Sequence, residues 1–230
     1  MTPDRPDPDH ATTAIDTGSA DPRAVVIGVA GGSGSGKTSV VDIIVDDVGA
    51  DRVAVLRHDR YYHDLGHLPI EERRTTNVDH PASFDDELFV EHLDRLVAGE
   101  AVDSPRYDYA TFTRLGGADR VEARPVILTE GILLFASPAI RDRVDVKVFV
   151  DADADLRLLR RIQRDVVERD RTIEGVLAHY KETVRPMHLE FVEPSKRWAD
   201  VIVPRGAHNR VGVEMVTARI ESLLAARAAH

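Results

Sequence analysis

The chain has 230 residues, 43% of them apolar, enough for one large α/β domain with a real core. It contains no cysteine, which excludes a disulfide framework and thiol catalysis. A net charge of −10 argues against a nucleic-acid partner, because that binding rests on neutralising phosphates.

Residues 1–22 carry five Asp and four Pro and almost no large apolar side chains. Such a segment cannot bury enough surface to offset its ordering entropy, so a disordered acidic tail is predicted there. It has no apolar core of the signal-peptide kind. The longest apolar stretches, such as 131–138, are too short to cross a bilayer. A cytoplasmic protein with no membrane partner is expected.

Residues 24–30 are apolar throughout, as expected of a parallel strand covered on both faces. Gly31-Gly32-Ser33-Gly34-Ser35-Gly36-Lys37-Thr38 follows, then a helical pattern over 39–48. This is G-x-x-x-x-G-K-[ST] between a strand and a helix, the setting of a phosphate-binding loop. Small residues let the backbone N–H groups turn inward on an anion. The helix N-terminus adds donors and a favourable dipole. Lys37 reaches the β/γ-phosphates and the Thr38 hydroxyl can ligate Mg²⁺.

Residues 52–58 form the second strand, with Asp59 just past its end and Tyr61-Tyr62 beside it. A short helical piece is predicted near 69–74. Asp85 caps a helix running to about residue 98, stopped by Gly99. Residues 101–124 alternate in short pieces, with Gly116-Gly117 between two runs, and predict a small antiparallel β-insertion. Strands are predicted at 126–129, ending at Glu130, then at 144–150 and 200–203. Helices are predicted at 153–168, 172–190 and 208–226. Strands alternating with helices mean a doubly wound parallel sheet, here one domain over 23–230.

In such a sheet, ligands bind outside the carboxyl ends of the strands. The phosphate loop, Asp59, Glu130 and Arg205 therefore face one crevice. Glu130 is placed as a Walker-B-like acid opposite Thr38. Asp59 is the candidate acceptor of a substrate hydroxyl proton. Its tyrosine neighbours suit a planar organic substrate better than a hydrolytic water. Arg157, Arg161 and Arg164 share one face of their helix, and Arg169 and Arg171 follow. They predict a lid over phosphates at about 157–172, since a guanidinium fork matches phosphate oxygens.

The chain resembles the uridine kinase (uridine–cytidine kinase) family of P-loop kinases over about 23–224. The resemblance is carried by Gly31–Thr38, Asp59-x-x-Tyr62, Asn77-x-Asp79-His80-Pro81, Tyr107-Asp108-Tyr109 and Glu130-Gly131-Ile132-Leu133. It is also carried by Arg160-Arg161-x-x-Arg164-Asp165-x-x-Glu168-Arg169-x-Arg171, Val184-Arg185-Pro186-Met187, Glu193-Pro194-Ser195-Lys196 and Val203-Pro204-Arg205-Gly206. It implies a P-loop kinase fold with a helical lid, and transfer of the γ-phosphate of ATP or GTP to the 5′-hydroxyl of uridine or cytidine, with Mg²⁺. It also implies a homo-oligomer, tetramer or dimer. Lys37, Asp59, Arg164 and Arg169 take catalytic roles by this likeness. Asp79 and Arg161 hold the ribose, Tyr62 and Tyr107 wall the nucleoside, and Arg171 and Arg205 approach ATP.

Three positions depart from the family pattern, two of them at the nucleoside. Phe112 stands where the family carries a His that hydrogen-bonds the pyrimidine edge, and His179 where it usually has a sugar-contacting Gln. Phe has no donor or acceptor and cannot read an exocyclic group. Asp170 replaces the usual Gly of the lid turn. The alternatives are a P-loop kinase of another small alcohol, such as a different nucleoside or a sugar phosphate, and a nucleotide-binding regulator without turnover.

Overall fold

In the computed structural model, residues 23–169 and 171–228 are described. The acidic tail and Asp170 lie outside them. The first strand, β1 (Val25–Ala30), is fully buried and sits in the middle of a five-stranded parallel sheet. Helix α1 (Lys37–Val48) returns the chain to β2 (Val53–Arg57) at one edge. A 3₁₀ turn, His58–Tyr61, carries Asp59. Short α2 (Ile70–Thr75) and α3 (Asp86–Val97) follow, the Asp85 side chain accepting from Leu88 N at 3.1 Å as the predicted cap.

Next comes the hairpin of β3 (Val102–Asp108) and β4 (Thr113–Val121), then β5 (Val126–Gly131) and a single turn, α4 (Pro138–Arg141). Strand β6 (Val146–Asp151) leads to α5 (Ala154–Glu168) and α6 (Ile173–His179). Single turns α7 (Arg185–Met187) and α8 (Glu193–Ser195) precede β7 (Val201–Pro204) and α9 (Arg210–Ala228). The sheet order is β2-β5-β1-β6-β7. The order turns at β1, so the loop after β1 opens at the switch point where a crevice forms.

Side chains alternate across β1 with a period of two. Val25, Ile27 and Val29 pack on α1 and on Val213, Val216 and Ile220 of α9. Val26 and Ala30 face the other layer, with Phe89, Leu93 and Leu96 of α3. Gly28 shares that second face; a Cβ there would come within 2.9 Å of Phe135 and Val144, so the layer closes only on glycine.

Three expectations are corrected. The glycine pair expected between two runs lies inside β4. Pro105 pairs with Ala118 and Arg106 with Leu115, so Gly116 and Gly117 bulge out of register. The actual turn is residues 109–112, where the Asp108 carboxylate accepts from Ala110 N at 2.9 Å and the Thr111 hydroxyl at 2.7 Å. Glu130 is within β5, not beyond it, because Val29 of β1 and Arg57 of β2 both pair with it. The helical run expected to end near 190 continues through Ser195. Pro186 and Pro194 are accommodated by π turns, Tyr180–Val184 and His188–Val192, whose wider ladder tolerates a missing N–H. The short turn α4 carries no periodic signal and was not expected.

Candidate active site

The phosphate loop depends on close packing from below. A Cβ on Gly32 would meet the Arg157 guanidinium at 2.5 Å, and one on Gly34, at φ 79°, would meet the Arg157 carbonyl at 2.5 Å. Arg157 is itself buried, donating to Ala152 O at 3.1 Å and to His188 Nε2 at 3.1 Å. Burial, and then the Arg157 charge, push the His188 imidazole down to about 4, so it stays neutral and accepts from Arg157. The loop thus rests on a rigid floor.

At the start of α1, Lys37 donates to Gly32 O at 3.2 Å, arching over the loop. Burial lowers its pKa, opposed by the charges of Glu130 and Asp59. Thr38 Oγ1 donates to Glu130 Oε2 at 3.0 Å, and Arg57 Nη1 to Glu130 Oε1 at 2.5 Å. Burial raises the Glu130 pKa; Lys37 pulls the other way. Arg57 was not expected at the site. Its signal was its place at the end of β2, beside the strand carrying Glu130.

A cavity of about 300 Å³ opens beside this group. One end is lined by Ser33, Gly34, Gly36, Lys37 and Thr38, with Glu130 behind. The other end is lined by Asp59, Tyr62, Asp79, Tyr107, Phe112 and His179. Arg161, Arg164, Arg169 and Arg171 lie along the cavity as well. Val78, Tyr109, Gly131 and Ile132 also line it and were not singled out in the sequence, although Tyr109, Gly131 and Ile132 fall inside quoted motifs. Gly31, Gly32 and Ser35 belong to the loop but do not line the cavity. Arg205, at φ 65°, lines a neighbouring cavity of about 270 Å³ with Asp151, Leu156 and His208. Arg160 lines both cavities, and donates to Gly34 O at 3.2 Å.

The wall at the second end is aromatic and stacked. Tyr62 lies 4.1 Å from the Phe84 ring and 5.2 Å from Tyr107. Burial holds Tyr62 well above its ordinary pKa and raises Tyr107 to about 12, so both keep their protons. Phe112 is buried in the left-handed region, φ 57°, with the Arg171 guanidinium 5.3 Å above its ring. His179 Nε2 is 3.9 Å from Asp79 Oδ2. Burial, then Arg161, lower the His179 pKa, so it is neutral near pH 7.

Four polar atoms around this end are buried with no hydrogen-bond partner: Asp59 Oδ1, Asp79 Oδ2, the Tyr107 hydroxyl and His179 Nδ1. Each such group costs about 1–3 kcal/mol when left unpaired. Four converging on one cavity mark a site shaped for a polar ligand.

Helix α5 reverses ordinary amphipathic patterning. Arg157, Arg161 and Asp165 are buried, while Leu159 is 57% exposed and Val167 83% exposed. The arginines reach the loop directly, Arg161 Nη1 donating to Ser33 Oγ at 3.0 Å. Among the described residues no group of three or more His, Asp or Glu could by itself hold a metal ion. Thr38 and Glu130 offer two hard oxygens at the phosphate loop. That donor set fits Mg²⁺, which takes one or two protein ligands and completes its shell with water and substrate phosphates.

The Phosphoribulokinase / Uridine kinase family model matches residues 26–212. A uridine kinase of Chloroflexus aurantiacus is 59% identical over 202 residues, covering 88% of this chain and 97% of its own length. A uridine kinase of Bacillus cereus is 49% identical over 202 residues, covering 88% of this chain and 95% of its own. Among solved structures, phosphoribulokinase from Rhodobacter spheroides has the same fold, with a TM-score of 0.59 at 12% identity. That match covers 80% of this chain and 71% of that one.

Proposed function

Since this chain belongs to the Phosphoribulokinase / Uridine kinase family, we propose that it is a uridine kinase. It transfers the γ-phosphate of ATP to the 5′-hydroxyl of uridine and, in a second reading, of cytidine. The observation that carries the reading is one cavity with a phosphate loop at one end and an aromatic, carboxylate-bearing wall at the other.

In this reading Asp59 orients the nucleoside hydroxyl and takes its proton late, since phosphoryl transfer is mainly positioning and charge stabilisation. Lys37, Arg164 and Arg169 counter the charge on the transferring group. Asp79, Arg161 and His179 hold the sugar; Tyr62, Tyr107 and Phe112 wall the base. Arg171 closes over the phosphates and Arg205 borders the purine of the donor. Thr38 and Glu130 hold Mg²⁺, which supplies Lewis-acid neutralisation of the phosphate charge when bound.

The donor is ATP, with GTP as the alternative. The enzyme acts in the cytoplasm; among the described residues no helix is long and apolar enough to cross a membrane. A homo-oligomer, dimer or tetramer, would cover exposed apolar residues such as Leu159 and Val167.

A coupled assay of ADP release tests the reading over uridine, cytidine, purine nucleosides and ribulose 5-phosphate. Turnover with a pyrimidine nucleoside is expected. Stimulation by the sugar phosphate alone would assign a different alcohol, and ATP binding without product would assign a non-catalytic regulator.

A further inference from the structure

One carboxylate serves four arginines. Asp165 is wholly buried on α5 and does not line the cavity. Its Oδ1 accepts from Arg164 through Nε at 2.9 Å and Nη2 at 2.8 Å, and pairs with Arg169 at 3.3 Å. Its Oδ2 faces Arg161 and Arg171, each at 3.5 Å. Among the described residues, no other carboxylate lies within 4.0 Å of any of these guanidinium groups.

Three of the arginines lead on to other parts of the site. Arg161 bonds Ser33 of the phosphate loop. Arg169 lies 4.9 Å over the Tyr109 ring and Arg171 5.3 Å over Phe112, both on the hairpin turn. Four like charges in one half-buried cluster would repel each other and splay. A single shared counter-ion gathers them yet leaves an excess positive charge for phosphate. The two oxygens hold with unequal grip: Arg164 is clamped, Arg161 and Arg171 are held loosely.

We propose that Asp165 is a positioning residue that ties the phosphate loop to the acceptor wall, as the shared counter-ion of Arg161, Arg164, Arg169 and Arg171. The assignment rests on the phosphoryl-transfer reading above. Asp165 touches no reacting atom; it sets where the arginines point.

Asp165→Asn keeps the shape and one acceptor but removes the charge; Asp165→Glu keeps the charge on a longer stem. In Asp165→Asn, kcat is expected to fall about 10²-fold, the scale of a misplaced catalytic group, with the KM for ATP within a few-fold of wild type. Asp165→Glu is expected to recover part of that kcat. Inorganic sulfate is the second probe. At equal ionic strength against chloride, it should raise the Tm of Asp165→Asn more than that of wild type, by replacing the missing counter-ion.

An unchanged kcat in Asp165→Asn would overturn the proposal, and so would identical sulfate responses. Should Asp165→Asn be recovered only unfolded, refolding in sulfate supports the counter-ion role, and failure to refold in sulfate overturns it. The sulfate measurement needs no turnover, so it decides this proposal even where wild-type protein phosphorylates no nucleoside, which would sink only the functional reading.

Discussion

At one end of the cavity, the donor end in the proposed reading, a single loop supplies Ser33, Gly34, Gly36, Lys37 and Thr38, and Arg157 and His188 brace it from beneath. At the other, the acceptor end in that reading, the groups come from five separated places: the turn after β2, the loop holding Asp79, β3, the hairpin turn and the end of α6. One end is a backbone device, whose chemistry is the repeated N–H group and a helix terminus. The other is a side-chain device, whose chemistry is whichever residues the fold brings together. A backbone device tolerates few changes, because a Cβ at Gly32 or Gly34 collides with Arg157. A side-chain device can exchange one wall residue for another.

This contrast sets the order of the following tests. The largest effect is expected at Lys37, whose cation lies at the donor end. Lys37→Ala should lower kcat by about 10³ or more, on the scale of a phosphate-contacting cation. Near-normal turnover in steady-state assays would break the donor-end assignment. Asp59→Asn should lower kcat about 10²–10³-fold, the range of a general base, while ATP binding measured by calorimetry stays intact. Loss of ATP binding in that variant would move Asp59 from the acceptor end to the donor end.

The floor of the loop makes a pH prediction. The unfolded chain protonates His188 below its ordinary 6.5, while the folded chain does so only near 4. The unfolded state therefore binds more protons between these values, and stability falls as pH drops through them. From pH 7 to pH 5 this one group costs about 2 kcal/mol. Urea midpoints of His188→Gln, which can still accept from Arg157, should lose less over that interval than wild type. Parallel losses would show that His188 is protonated in the fold.

The smallest effect is expected at Phe112. In the proposed reading Phe112→His adds a hydrogen-bonding edge to the base wall, worth about 0.5–1.5 kcal/mol, and should shift the uridine-to-cytidine ratio of kcat/KM about 2–10-fold. Thermal stability should hold or rise, because His tolerates the left-handed region better than Phe. An unmoved ratio would mean that Phe112 does not read the base and the acceptor end begins elsewhere.

Much of the fold was legible. The apolar run of β1, the cap at Asp85 and the alternation of strands with helices are local signals, and local physics writes them into adjacent residues. The reach of β5 was less legible, because Glu130 is held in the strand by partners from β1 and β2. The bulge at Gly116-Gly117 was misread as a turn, since glycine serves both and only the register of β3 decides. The helical run expected to end near 190 continues past Pro194, which directly follows the π turn His188–Val192. On α5 the shared face of Arg157, Arg161 and Arg164 followed from spacing alone. That this face turns inward did not, because buried arginines contradict ordinary patterning until their counter-ion is seen.

By itself the sequence determined a nucleotide-binding loop, a parallel sheet to carry it, and the acids and arginines at one sheet edge. These rest on residues a few positions apart, whose geometry the backbone dictates. Only the tertiary structure decided that Arg57 joins Thr38 on Glu130, that Phe112 sits beneath Arg171, and that one buried Asp165 gathers four arginines. Those are contacts of charge and shape through space, and no spacing along a chain encodes which distant groups will share a dry interior.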